Sequence, residues 1–147
     1  MRRTLFSLAL IMSLMTSFAN AEQKKVFGDF EVHYIAFTSS ELDKDVAKIY
    51  GIPRSNSLGY MSISVLKTGV SELPVSWNAK LSGTMSNLLG QTRELEFTRI
   101  QEKDALYFHS TFDFYDQDMY RFHLKVKPEG QKREYDVKFS QKFYQGQ

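Results

Sequence analysis

The sequence predicts an all-β domain: a seven-stranded antiparallel sandwich of immunoglobulin-like type, with one short helix inserted after the first strand. Three observations predict it. Apolar residues alternate with polar ones through seven segments. The later connections between those segments are short and built of turn residues. Aromatic residues make up 14% of the 147-residue chain, a density that favours pleated, half-buried strands over disorder.

The first strand is carried by Phe30, Val32, Tyr34 and Ala36, alternating with Glu31, His33, Ile35 and Phe37. Ser39 or Ser40 then offers a helix N-cap. Leu42, Val46 and Ile49 recur at spacings of four and three, which predicts an amphipathic helix over about 42–50, stopped by Gly51 and Pro53. Alternation resumes at 60–67 (Met61, Ile63, Val65) and at 75–84 (Val75, Trp77, Ala79, Leu81, Gly83). Asn87-Leu88-Leu89-Gly90 reads as a turn or a single helical turn. Four further strands follow at 93–100, 106–114, 120–127 and 134–144. Glu102-Lys103-Asp104, Asp116-Gln117-Asp118 and Pro128-Glu129-Gly130 separate them and read as consecutive hairpin turns. Strands with one apolar face each pack as two sheets, and a small barrel is the alternative. Trp77 is the candidate core tryptophan, and the cysteine pair of antibody domains is absent.

Ahead of this domain stands a leader. Met1-Arg2-Arg3-Thr4 is a positive opening, residues 5–18 are uncharged and mostly apolar, and Ala19-Asn20-Ala21 supplies small residues at a cleavage site. The apolar run is shorter than the roughly 20 residues a spanning helix needs. The expectation is a signal peptide over 1–21, cleaved after Ala21, and a single periplasmic domain over 22–147. An uncleaved anchor is the alternative. With no cysteine, attachment through a lipidated N-terminal cysteine is excluded.

Cleavage also changes the charge. The chain has 19 Lys and Arg against 17 Asp and Glu, and Arg2 and Arg3 leave with the leader. What remains is formally neutral, with its charges scattered along the sequence, so no nucleic-acid partner is expected. Stable membrane insertion is not expected after cleavage either.

Histidine and methionine together invite a copper reading, since soft and imidazole ligands suit that metal where thiols are lacking. The candidates are His33, His109 and His123 with Met61, Met85 and Met119. Strand parity places Met61 and Met85 on core faces and all three histidines on outward ones, which favours core methionines and surface histidines. Asp113, Asp116 and Asp118 cluster at one turn and raise calcium, but the glycine and terminal glutamate of a helical calcium loop are missing. There is no Gly-x-Ser-x-Gly elbow and no phosphate-binding glycine loop. No catalytic residue and no cofactor is expected.

Two loops remain. Tyr50, Arg54 and Ser55 follow the helix, and Asn87 and Gln91 bracket the Leu88-Leu89 turn; loops on a rigid β scaffold carry function. Leu88 and Leu89 are expected to plug an open end of the sandwich. Arg54 either grips a carboxylate or ties its loop to the domain. The last strand, with Lys138, Ser140, Lys142 and Tyr144 on its polar face, either pairs with another chain at a sheet edge or is guarded from it by its lysines.

The chain resembles a family of small exported proteobacterial proteins known as domain of unknown function 4426. The resemblance rests on Phe27-Gly28-Asp29-Phe30-Glu31-Val32-His33-Tyr34, on Tyr50-Gly51-Ile52 with Arg54-Ser55, on Asn87-Leu88-Leu89-Gly90-Gln91, and on Phe139-Ser140-Gln141-Lys142-Phe143-Tyr144. It implies an exported all-β domain and brings no activity, ligand or catalytic residue with it. The expectation for function is a non-catalytic binding module for a protein, a peptide or an envelope component. The alternatives are a copper- or calcium-binding protein and a hydrolase whose site assembles only in space.

Overall fold

The computed structural model describes residues 22–146, so the leader and the cleavage site at Ala21 lie outside the described residues. Strand β1 spans Gln23–Phe27 and β2 Phe30–Thr38; helix α1 spans Lys44–Ile49; β3 spans Leu58–Lys67, β4 Val75–Ser76 and β5 Ala79–Asn87. Then come β6 at Thr92–Leu95, β7 at Thr98–Glu102, β8 at Ala105–Asp113, β9 at Met119–Pro128 and β10 at Tyr135–Lys142. One antiparallel sheet runs β1-β2-β3-β8-β7, with β4 paired to the end of β3. The other runs β10-β9-β5-β6.

The two sheets share one core. Val32, Ile63, Val65 and Phe108 of the first sheet cluster with Phe122, Leu124, Val126 and Val137 of the second, all 5% exposed or less. The Tyr34 and Phe139 rings meet across it at 4.6 Å. Each such side chain contributes about 1.5–3 kcal/mol when fully withdrawn from water. Met61 and Met85 are buried in this cluster, as their strand parity requires.

Ten strands among the described residues replace the seven expected, for two reasons. The segments 75–84 and 93–100 each break, at Trp77–Asn78 and Glu96–Phe97, and continue in the opposite sheet. β1 was not expected because it opens on three polar residues, Gln23-Lys24-Lys25, shows no alternation, and buries only part of Phe27 against the core. It forms a two-residue hairpin with β2 through Gly28-Asp29, where Gly28 takes φ +58° as the first central residue of a type II′ turn requires. The turn at Asp116-Gln117-Asp118 is not a hairpin, since β8 and β9 lie in different sheets and the chain crosses between them there.

Between β2 and β3 the chain folds over the outer face of the first sheet. Ser39–Glu41 form a 3₁₀ turn, and the α1 N-cap is Asp43, not Ser39 or Ser40: its carboxylate accepts from the amides of Asp45 (2.9 Å) and Val46 (3.1 Å). The buried side of this excursion is Leu42, Ala47 and Ile52 packed on Tyr60, Phe37 and Tyr50. Val46 and Ile49, expected on the apolar face, are exposed. Among the described residues no helix is long and apolar enough to cross a membrane.

Candidate functional site

One end of the sandwich gathers the β5–β6 turn, the β8–β9 crossing, the residues before β3 and the end of the chain around an open cavity of about 530 Å³. Asn87, Gln91, Arg93, Asp113, Tyr115 and Tyr120 are among its lining residues. Asn87 builds the turn beside it. Its Oδ1 accepts from the amides of Leu89 (3.1 Å) and Gln91 (3.0 Å), and its Nδ2 donates to Gln91 Oε1 at 2.7 Å. Gly90 closes the turn at φ +81°.

That turn holds its leucines outward. Leu88 is 63% and Leu89 85% exposed, so they do not plug the end of the sandwich as expected. Side-chain and backbone hydrogen bonds to Asn87 define the turn instead, and the cavity end is floored by the buried Met85, Phe114 and Tyr120. Tyr115 is 76% exposed on the facing connection. Its amide donates to the buried Tyr120 hydroxyl at 2.8 Å, which fixes the β8–β9 crossing to the start of β9. Arg93 reaches across the cavity and donates through Nη2 to the Asp113 carbonyl, with Nη1 4.0 Å from the Asp113 carboxylate.

The second cavity, about 490 Å³, lies beside the 39–57 excursion and is lined by Tyr50, Glu94, Glu96, Thr98 and His109 among others. His109 has outward strand parity yet is only 8% exposed, because Tyr50 (6.4 Å) and Tyr60 (5.9 Å) cover its ring edge-on. It is therefore not the surface histidine expected. Its Nδ1 has no partner among the described residues, and burial holds the imidazole below its usual pKa of 6.5.

The other two histidines are elsewhere. His33 Nε2 is 2.8 Å from Glu31 and Nδ1 2.9 Å from Glu22; the His33 hydrogen bond, ahead of Lys24, holds the Glu31 carboxyl low. His123, on the outer face of the second sheet, is 2.6 Å from Asp136 and lowers that carboxyl through the same kind of contact. Among the described residues no three His, Asp or Glu side chains converge as a metal site. Of the clustered aspartates, Asp113 faces Arg93 and Asp116 accepts from the Gln145 amide at 2.7 Å.

Arg54 and Ser55 are turned onto their own loop. Arg54 Nε donates to the Leu42 carbonyl (2.8 Å) and Nη2 to that of Ser40 (2.6 Å). The Ser55 amide donates to Ser39 Oγ at 2.9 Å. The structure thus brings Asn87 and Gln91 to one cavity and Tyr50 to the other. Sequence reasoning missed Tyr115, Tyr120 and Arg93. The signal for Tyr115 was present: with Phe112 and Phe114 inward, parity puts it outside.

A family model described as "Domain of unknown function (DUF4426)" matches residues 24–146. Among solved structures, the chain is similar to a DUF4426 family protein from Pseudomonas aeruginosa PAO1, with 30% identity and a TM-score of 0.73 over 86% of this chain and 97% of that one. It is also similar to FetP of uropathogenic Escherichia coli strain F11. A copper-bound FetP variant gives 10% identity and a TM-score of 0.57 over 82% of this chain and 93% of that chain. FetP recombinantly expressed in the periplasm gives 10% and 0.58 over 84% and 94%. A comparison with curated proteins finds no match.

Proposed function

The chain belongs to the DUF4426 family, and from that premise we propose that it is a periplasmic, non-catalytic binding module that takes an apolar segment of another envelope protein at the cavity end of its sandwich. The observation that carries this reading is the pair Leu88 and Leu89, 63% and 85% exposed on a turn that Asn87 holds rigid beside an open cavity. Adjacent exposed apolar residues at the rim of a cavity are a marker of interaction sites. A rigid turn also lowers the entropy lost on binding. Arg93 and Asp113 at the cavity supply polar groups that orient the bound segment.

Periplasmic location is supported by the leader pattern ending at Ala21. The immunoglobulin-like reading is supported by strand order: β2-β3-β8-β7 opposite β10-β9-β5-β6 follows the A-B-E-D and G-F-C-C′ order of such domains. Tyr120, at the start of the F-equivalent strand and bonded to the backbone five residues upstream, supports it too.

The test is cross-linking in periplasmic extract of the wild type, a Leu88→Ser/Leu89→Ser variant, and a Val70→Ser/Leu73→Ser control, which changes exposed apolar residues of the β3–β4 connection at the opposite end. The expected result is a partner lost only in the first variant. Retention of the same partners by all three overturns the reading.

A second reading, copper binding, is favoured by the fold shared with a copper-bound FetP variant together with the unpartnered Nδ1 of His109. Isothermal titration with copper(II) of the wild type and His109→Ala separates it: a site lost with His109 supports copper, and no site in the wild type removes it.

A further inference from the structure

The charges that are scattered along the sequence are gathered by the register of the second sheet. On β9, Arg121, His123, Lys125 and Lys127 follow one another at every second position and point away from the core that Phe122, Leu124 and Val126 enter. Antiparallel pairing sets Lys80 of β5 opposite Lys127, and Lys138 of β10 opposite His123; Lys142 continues the β10 row. Six Lys and Arg side chains thus share one sheet face. Its strands carry two outward acids, Asp136 and Glu94, and Glu134 and Glu129 stand just before β10 and just after β9. Asp136 is bonded to His123, Glu134 pairs with Lys125 at 3.5 Å, and Glu94 stands at the β6 edge. Lys80, Arg121, Lys127 and Lys138 have no ion pair among the described residues.

Edge protection explains lysines on β10, which ends the sheet. It does not explain β9, an interior strand paired on both sides. Lys80 directly across from Lys127 is moreover a like-charge pair that works against folding. The outer face of the first sheet is different in kind: there Lys24 is matched by Glu31, and the 39–57 excursion covers part of the surface.

We propose that this face of the second sheet docks the protein on an anionic phospholipid membrane. Cations about 7 Å apart along a strand and about 5 Å apart between strands form a broad two-dimensional array, which complements a plane of phosphate groups. Small residues on β5 (Ser82, Thr84, Ser86) leave the neighbouring long side chains free to reach outward. Nucleic acid is less well matched, since no outward position of β5, β9 or β10 carries a Phe, Tyr or Trp ring on which successive bases could stack, and the one imidazole there, His123, is bonded to Asp136. The proposal does not depend on the Leu88–Leu89 site, which lies at the end of the sandwich and not on its face.

The test is co-sedimentation of the purified protein with phosphatidylcholine vesicles and with vesicles containing 30% phosphatidylglycerol. The expected result is binding to the second only, falling away as salt rises from about 0.05 to 0.5 M because the Debye length shortens. Each cation near the surface is worth about fivefold in partitioning, so Arg121→Gln/Lys138→Gln lowers binding about 25-fold. Lys24→Gln/Lys48→Gln, away from this face, leaves it unchanged. The proposal is overturned by any of three results: no binding to the anionic vesicles at low salt, equal loss with the control pair, or tighter binding to double-stranded DNA or polyglutamate than to the vesicles at matched salt.

Discussion

Gly59 on β3 and Phe112 on β8 are register partners, and the Phe112 ring lies where a side chain on Gly59 would begin. A Cβ built there stands 2.7 Å from Phe112 Cδ2 and closer still to Cε2 and Cζ. The ring cannot simply move aside, because it packs against Phe122 and Phe143, each at 5.3 Å. Gly59→Ala is therefore an overpacking change expected to cost about 1–3 kcal/mol. Urea unfolding checks it, and adding Phe112→Leu to Gly59→Ala recovers part of the loss.

Tyr120→Phe removes the hydroxyl that the Tyr115 amide donates to and leaves that amide without its partner. The expected loss is about 1–3 kcal/mol in unfolding free energy. The β8–β9 crossing carries Tyr115, so hydrogen exchange at residues 114–118 should quicken. Equal exchange in both proteins would show that the crossing is held by other contacts.

The strand pattern was legible in the sequence because each apolar face is continuous, and that continuity is also why the strand count was not. Trp77, Ala79 and Leu81 pack inward on both sides of the break between β4 and β5, as Leu95 and Phe97 do across the next one. Both sheets face the same core, so a chain that changes sheet keeps its inward residues inward and its period of two. Parity likewise placed Met61 and Met85, but it could not see that the 39–57 excursion would cover the outward-pointing His109. The exposed leucines of the site went unread for a local reason. Apolar residues in a turn ordinarily pack inward, and only the three hydrogen bonds of Asn87 show that this turn has no need to.

Asn87→Ala deletes those three hydrogen bonds from an exposed turn. Stability should fall by about 1 kcal/mol, because water replaces part of what is lost. Partner binding should fall further than that, since the leucines lose their fixed presentation. A thermal melt read beside the cross-linking assay separates the two effects. By contrast, Leu88→Ser/Leu89→Ser should change stability by no more than about 0.5 kcal/mol.

Arg54→Ala breaks the two hydrogen bonds that clamp the loop after α1 to the carbonyls of Ser40 and Leu42. The expectation is a local loosening worth about 1 kcal/mol, seen as faster proteolysis within residues 39–57 while the core strands stay protected. Arg54→Lys should rescue little, because a single ammonium does not reproduce the planar fork that reaches both carbonyls.

His109 ties stability to pH, and the sign follows from its burial. In the unfolded chain its imidazole titrates at about its usual 6.5, whereas burial under Tyr50 and Tyr60 lowers that value in the folded protein. Between the two values the unfolded chain binds more protons, so stability rises with pH through that window. The contribution is fully present above 6.5 and is lost as pH falls below it. Urea unfolding measured from pH 7.5 to 5 should show the midpoint falling in the wild type. In His109→Phe that fall should be shallower, because an uncharged ring keeps the Tyr50 and Tyr60 contacts without a proton to take up. A parallel fall in both proteins would assign the pH dependence to other groups.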